Sequence, residues 1–309
     1  MNNKPLVSIG MPVYNGESFL HQALNSLLRQ SCDNFELIIS DNASTDNTRQ
    51  ICLEYSRQDP RIKYYRNKIN MGGIWNFNRV FDLTSGEYFM WASYDDYWDP
   101  RYISLCIEGF GISNSVVLVG AICKYVDFST EELIFIDQGL NTVGLSTYER
   151  FKKYKYTIHS GKHIGAIFFG IYKRSVLAKV MPLKKVLAID HLLLAGLSLL
   201  GEFITVPEKL MLKRSGGCSR SLQGIAEAAH INNKLFIKFP YFVRELLLQK
   251  IIFTTSRLRF WEKITLAFWS FVHYLKIFII PFSIIPPVFK ILMRRFFRHT
   301  DDIFAKKQT

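Results

Sequence analysis

Apolar runs and amphipathic stretches alternate from the start of the chain. "LVSIGMP" (residues 6–12) is a near-continuous apolar run of strand length. Beyond it Phe19, Leu20, Ala23, Leu24, Leu27 and Leu28 recur at helical spacing, which predicts a helix from about Ser18, with Ser18 as its N-cap. "FELIIS" (35–40) predicts a second strand ending on Asp41. The polar "NASTDNT" reads as a turn, from which Thr45 or Asp46 can cap a helix reaching about Tyr55. "RIKYY" predicts a short third strand. A helix over 75–83 leads through "TSGE" into a fourth strand, "YFMWAS", and a helix over 101–110 precedes the strand "SVVLVGAI". Apolar strands alternating with helices imply a mostly parallel sheet covered by helices on both faces.

In open parallel sheets, ligands bind beyond the carboxyl ends of the strands. The polar residues concentrate there: 14–17 after the first strand, 41–46 after the second, and Asp95-Asp96 after the fourth. Adjacent carboxylates repel and burial adds to the cost, so this pair needs water or a cation. No GxGxxG follows the first strand and no GxxxxGK[ST] occurs, which excludes a dinucleotide fingerprint and a P-loop. Carboxylates on a rim suit a divalent cation bridging a diphosphate, since Mg²⁺ takes one or two protein carboxylates plus phosphate oxygens and waters.

Composition adds two features. The five cysteines are scattered without a CxxC pair, as in a reducing compartment, and residues 1–10 lack the pattern of a secretory signal. A cytoplasmic protein is expected. The net charge of +13 is uneven: residues 231–309 hold 14 Lys and Arg against 4 Asp and Glu, while the first 230 hold 25 against 22. The basic residues of the last quarter are interleaved with large apolar ones, as in "WEKITLAFWSFVHYLKIF", which favours anionic lipid over nucleic acid. The longest uncharged runs there, 264–275 and 277–289, fall short of the ~18–20 residues of a spanning helix. Pro281, Pro286 and Pro287 also break them. The chain is therefore divided into a domain of residues 1–230 and an extension of residues 231–309. The extension is either an interfacial membrane anchor or a helical subdomain packed on the first.

The stretch "VSIGMPVYNGESFLHQALNSLLRQSCDNFELIISDNASTDNT" resembles the opening of the family 2 inverting glycosyltransferases. It carries P-x-Y-N after the first strand, a Gln-ended helix, and a D-(D/N)-x-S-x-D turn after the second. The resemblance continues through "NMGGIWNFNRVFDLTSGEYFMWASYDD" and, more weakly, to about Ser221. It implies a GT-A fold: a Rossmann-like, nucleotide-binding α/β sheet, mostly parallel and flanked by helices, here with a basic, aromatic-rich helical extension. It also implies that Pro12, Tyr14 and Asn15 pack against the nucleotide base and ribose, and that Asp41 accepts a hydrogen bond from the base, commonly uracil. Glu17, Asp46, Asn70 and Tyr94 are placed at the same nucleotide site. The family's Asp-x-Asp falls on Ser93, Tyr94 and Asp95, so Asp95, helped by Asp96, is left to ligate Mg²⁺ or Mn²⁺. The family's catalytic carboxylate corresponds to Asp190 in "LAIDHLLLAG", with Ile189 where a Glu is usual. Arg214 in "KRSGGCSRS" corresponds to a basic loop that folds over the phosphates. His159 and His163 either face the acceptor or are ordinary surface or core histidines. Plain structural readings stand beside these: Asn15-Gly16 as a turn, Asp46 and Asp190 as helix N-caps.

The implied reaction moves a sugar from a nucleoside diphosphate donor, commonly a UDP-sugar, to an acceptor hydroxyl with inversion. The implied setting is bacterial surface-polysaccharide assembly on a polyprenyl-linked glycan, with the enzyme held at the inner face of the cell membrane. Two other readings stay open. Ser93 and Ile189 would suit a catalytically degenerate, membrane-bound scaffold. A sugar-phosphate nucleotidyltransferase shares the architecture, but "PVYNGESF" lacks the Gly-rich, Arg/Lys-bearing loop it would need.

Overall fold

The computed structural model describes residues 5–159, 165–215, 222–233 and 237–278. Strand β1 (Val7–Val13) turns Val7, Ile9, Met11 and Val13 to one face, where they pack on Leu20, Ala23, Leu24 and Leu27 of α1 (Glu17–Leu28). Its other face carries Gly10, where a Cβ would lie 2.8 Å from Val80 Cγ2; the missing side chain lets the next helix on that face sit close. β2 (Phe35–Asp41), α2 (Thr48–Gln58), β3 (Ile62–Arg66), α3 (Gly73–Asp82) and β4 (Tyr88–Trp91) complete the alternating half. The order is β3-β2-β1-β4, every pairing parallel. α1 begins at Glu17 with Gly16 as its N-cap residue and no side-chain cap, so Ser18 lies inside the helix rather than capping it.

The second half departs from simple alternation. After β5 (Tyr97–Trp98) and α4 (Tyr102–Gly109), the long β6 (Val116–Asp127) forms a hairpin with β7 (Leu133–Asp137). α5 (Thr147–His159) and a 3-10 turn (Gly165–Phe169) lead to β8 (Ile171–Lys173), which lies antiparallel between β4 and β6. α6 (Arg174–Leu177) and α7 (Ile189–Leu200) precede β9 (Glu202–Ser215), parallel to β6 and antiparallel to β5. The full order among the described residues is β3-β2-β1-β4-β8-β6-β9-β5, with β7 on β6. The sheet is thus mostly parallel with antiparallel insertions. Four cysteines, Cys32, Cys52, Cys106 and Cys123, are free thiols, and Cys218 lies outside the described residues.

α8 (Leu222–Ala228), α9 (Pro240–Thr254) and α10 (Phe260–Phe278) follow. Val243, Leu248, Ile252, Leu266, Ala267 and Trp269 join the same apolar cluster as Phe151 of α5 and Leu192 of α7. The boundary expected at residue 230 therefore does not separate two cores. The described part of the extension is a helical layer on the domain, while residues 279–309 lie outside the described residues. No helix among the described residues is long and apolar enough to cross a membrane.

One buried ion pair locks this layer. Lys155 of α5 meets Glu245 of α9, each with a side chain only 2% exposed. Ser270 of α10 accepts from Lys155 at 2.5 Å and donates to Glu245 at 2.6 Å, so three helices share one polar knot. Burial pushes the Lys155 amine down to about 8, against the pull of Glu245. Lys155→Met should leave Glu245 buried without its cation and remove roughly 3–5 kcal/mol of stability. Urea unfolding read by far-UV circular dichroism measures this, and a loss below about 1 kcal/mol would mean the pair is not buried as described.

Candidate active site

The loops after β1 and β2 are stapled to each other. Asn15 takes a left-handed backbone (φ 51°), donates its amide to Ser44 Oγ at 2.9 Å, and accepts the Thr45 amide on Oδ1 at 2.9 Å. Gly16 N–H donates to Thr48 Oγ1 at 2.8 Å, and Glu17 N–H to Asp46 Oδ2 at 3.1 Å. Asn47 N–H returns a bond to Glu17 Oε2 at 2.7 Å. Burial pushes the Asp46 carboxyl up, but the Thr48 hydroxyl and the amides of Glu17 and Thr48 outweigh it and hold it below the ordinary value. Asn15-Gly16 is therefore a turn, as its composition allows, but one held by long-range bonds. Glu17 and Asp46 build the wall instead of reaching from it. Pro12 is buried in β1 opposite Ser40 of β2, while Tyr14 beside the staple is 42% exposed.

Asp41 differs from expectation in the same way. Its carboxylate is fully buried, accepting Ser44 N–H on Oδ1 at 2.8 Å and, on Oδ2, Tyr64 Oη at 2.7 Å and Arg66 Nη1 at 3.0 Å. A chain of asparagines runs from it across the rim. Asn42 accepts from Asn67 at 2.9 Å and donates to Asn70 at 2.7 Å, while Asn76 of α3 accepts from Ser40 at 2.6 Å. Asn70 also accepts Gly72 N–H at 2.8 Å, shaping the entry to α3.

The doubled Asp resolves into two unlike residues. Asp96 is fully buried: its Oδ2 accepts from Lys213 Nζ at 2.6 Å and its Oδ1 from Arg214 N–H at 3.3 Å. Burial pushes its carboxyl up to about 6 while the Lys213 charge pulls it back, so the pair is ionic at neutral pH. The Lys213 ammonium also sits 3.7 Å from the centre of the Phe169 ring. Asp96 is thus neutralised from within, and both oxygens expected to help ligate a metal are taken up by Lys213 and Arg214. Asp95 is half-buried; Ser93 donates to its Oδ1, and its Oδ2 accepts no hydrogen bond among the described residues. Between them, Tyr94 packs against Gly16, where a Cβ would lie 2.8 Å from the ring.

Arg214 does not hang in a loop. It closes β9, is 7% exposed, donates to the Asp95 carbonyl at 2.6 Å, to Gln22 at 2.7 Å and to Glu131 at 2.5 Å, and lies 4.4 Å from the Phe19 ring centre. It ties the Asp95 turn to α1 and the β6–β7 hairpin. Residues 216–221 of the basic loop and His163 lie outside the described residues, as does the side chain of His159.

Asp190 stands in the first turn of α7. The cap residue is Ala188, in a left-handed conformation (φ 55°), and no side chain caps the helix, so Asp190 is not its N-cap. Its carboxylate is 38% exposed and 4.0 Å from His191 Nε2, with no hydrogen bond among the described residues. Tyr154 fixes this turn by donating to the His191 carbonyl at 2.9 Å. The Tyr125 hydroxyl is pushed up, by burial first and then by nearby negative groups that include both Asp96 and Asp190. Both carboxylates therefore act on one tyrosine of β6.

The geometry sorts the acidic candidates. Both oxygens of Asp41, Asp46 and Asp96 are committed to the protein, Glu17 is exposed and engages one oxygen with Asn47 N–H, and Asp95 and Asp190 keep oxygens available. No group of three or more His, Cys, Asp or Glu side chains able to hold a metal occurs among the described residues. A cation at Asp95 would thus complete its shell with phosphate oxygens and water, as Mg²⁺ does in nucleotide sites. Lys213, Tyr64, Arg66, Asn42, Asn67 and Asn76 escaped the sequence reading. Lys213 had a usable signal, a lysine that ends the apolar run "LML" directly before Arg214.

A mostly parallel sheet flanked by helices, with its polar loops on one rim, has the architecture of the GT-A fold. Crystal structures share this fold. Staphylococcus aureus TarS 1-349 superposes with a TM-score of 0.62 at 18% identity, over 88% of this chain and 72% of that one. The mannosyltransferase PcManGT of Pyrobaculum calidifontis gives 0.52 at 14%, over 88% and 81%. The chain belongs to glycosyl transferase family 2, whose sequence profile matches residues 8–181. Among curated relatives, a protein of Escherichia coli (strain K12) named as a colanic acid biosynthesis glycosyl transferase, WcaA, is 38% identical over 105 residues, 34% of this chain and 38% of its own. One of Bacillus subtilis (strain 168), named as a teichuronic acid biosynthesis glycosyltransferase, TuaG, is 36% identical over 107 residues, 35% and 42%. The matches span about two fifths of these relatives' lengths.

Lys213→Met should leave Asp96 buried without a cation and cost roughly 3–5 kcal/mol in urea unfolding. Replacing both partners together, Lys213→Met with Asp96→Leu, should recover much of that stability. If the double variant is no more stable than the single, the pair is not the neutralising contact.

Proposed function

We propose that this protein is an inverting glycosyltransferase that moves a sugar from a nucleoside diphosphate donor, a UDP-sugar, to an acceptor hydroxyl on a lipid-linked glycan. The observation carrying the reading is that Asp95 and Asp190 keep carboxylate oxygens that accept no hydrogen bond among the described residues, whereas both oxygens of Asp41, Asp46 and Asp96 are engaged. The known family relatives named for colanic and teichuronic acid biosynthesis support a surface polysaccharide as product. TarS structures in complex with UDP and with UDP-GlcNAc, and PcManGT with GDP-Man and Mn²⁺, support the donor class and a divalent cation.

In this reading Tyr14 offers its exposed ring to the base, and Asn15, Glu17, Asp41 and Asp46 act as positioning residues through the staple. Asp95, oriented by Ser93 and anchored through its carbonyl by Arg214, would hold Mg²⁺ or Mn²⁺, which when bound would supply charge stabilisation to the leaving nucleotide. Asp190 takes the proton from the acceptor hydroxyl as that oxygen attacks the anomeric carbon from the face opposite the leaving group. Single displacement inverts the centre and needs no covalent intermediate, as with inverting glycosidases. The enzyme works at the inner face of the cell membrane, where a lipid-linked acceptor is presented.

A UDP-release assay over a panel of nucleotide sugars, with and without Mn²⁺, tests this. Asp95→Ala should abolish release with the fold retained. Asp190→Asn keeps the shape without the basicity and should lower turnover ~10²–10⁴-fold with little change in donor affinity. A loss below about tenfold for Asp190→Asn would remove it as the base. Wild-type protein releasing no nucleotide from any donor would favour the scaffold reading.

A further inference from the structure

α10 is buried along one side, through Leu266, Ala267, Trp269, Ser270 and Val272, yet its opposite side is apolar as well. Phe260, Trp261, Ile264 and Phe271 fall within about 100° of arc at the α-helical repeat. They are 66%, 72%, 36% and 39% exposed. On α9, Phe242, Leu246 and Phe253 form a second stripe, about 40° wide on the same repeat. These are 38%, 52% and 49% exposed. The Tyr274 ring lies 6.3 Å from both Phe242 and Phe271, so the stripes meet. Single exposed apolar residues are ordinary, but a contiguous aromatic patch marks a contact surface.

The charge around the patch is predominantly positive. Residues 237–278 hold seven Lys and Arg against Glu245 and Glu262. Glu245 is already paired with Lys155 inside, and Glu262 accepts the Arg259 amide at 2.7 Å. Lys250, Arg257 and Arg259 are exposed, and Lys263 donates to the Phe253 carbonyl at 3.0 Å, beside the α9 stripe. Aromatics on one face and cations at its border fit an interface between headgroups and acyl chains.

We propose that this α9–α10 face is a monotopic docking surface for a bilayer bearing anionic headgroups. The aromatic side chains enter the acyl boundary and the bordering cations meet lipid phosphates. The inference rests on the membrane location given under Proposed function and names the surface that produces it. Binding of this kind weakens with salt, which distinguishes it from insertion of a spanning segment.

The test is flotation of the full chain with phosphatidylglycerol-containing vesicles and with pure phosphatidylcholine vesicles. The wild type should float with the anionic vesicles. The triple variant Trp261→Ser, Ile264→Ser, Phe271→Ser should lose about tenfold or more of that partition while its thermal melt and nucleotide release stay unchanged. Trp261→Phe should still float but lose the fluorescence quenching that brominated acyl chains produce in the wild type. If the wild type and the triple variant float equally, the surface is wrong and the membrane location stands. If the wild type does not float, both fall. Loss of flotation with a sedimentation dimer that the triple variant abolishes would overturn the proposal in favour of a second copy on this face.

Discussion

The buried contact between Asp96 and Lys213 is the constraint on which the rim depends. A fully buried carboxylate beside a second one is tolerated only where a cation answers it, and Lys213 does so from the end of β9. The contact crosses from the turn after β4 to the far part of the sheet, joining segments more than a hundred residues apart in sequence. With Asp96 pinned inward, Asp95 is left facing the rim, and Arg214 holds its carbonyl from the next position along β9. Two consecutive basic residues thus fix two consecutive acidic ones. One pair is structural, and the other orients the residue proposed for metal contact.

The rest of the rim follows the same division. Polar side chains with several long-range bonds make the walls, and the residues proposed to act in the reaction have few. The Asn15–Glu17 loop and the Ser44–Thr48 loop have no apolar core of their own, so reciprocal bonds between side chains and amides replace it. The asparagine chain through Asn42, Asn67, Asn70 and Asn76 does the same between β2 and α3. Networks of this kind are rigid, because a member that loses its partner bears the cost of its burial; here the Asn67 Oδ1 alone of the four asparagine side chains is buried without one. A rigid wall suits a reaction whose rate depends on holding attacking oxygen, sugar and leaving group in line.

Much of the first half was legible because local pattern and tertiary fate agree there. β1 and β2 are largely apolar and buried at every position, and α1 carries one apolar stripe. The second half was harder to read. β5 is two residues and β8 three, too short for any periodicity, and their places are set by pairing with β9, β4 and β6. At the rim, the identities of Asp95 and Asp190 could be read, but not the fate of Asp41, whose oxygens are taken by Tyr64 and Arg66 from β3. A sequence shows that a carboxylate is present, while the partners that commit it arrive from distant segments. The extension was ambiguous for a physical reason: α10 is apolar on two sides, and one of them alone is buried.

The knot of Lys155, Glu245 and Ser270 bears on the order in which the protein can form during synthesis. Lys155 leaves the ribosome 90 residues before Glu245 and 115 before Ser270. At ~5–20 residues per second, α5 waits roughly 5–20 s for Glu245 and Ser270. The β1–β4 half contains its own helices and can be covered as it emerges. The face bearing α5 and α7 is closed by α9 and α10, so its folding is tied to helices made late in synthesis.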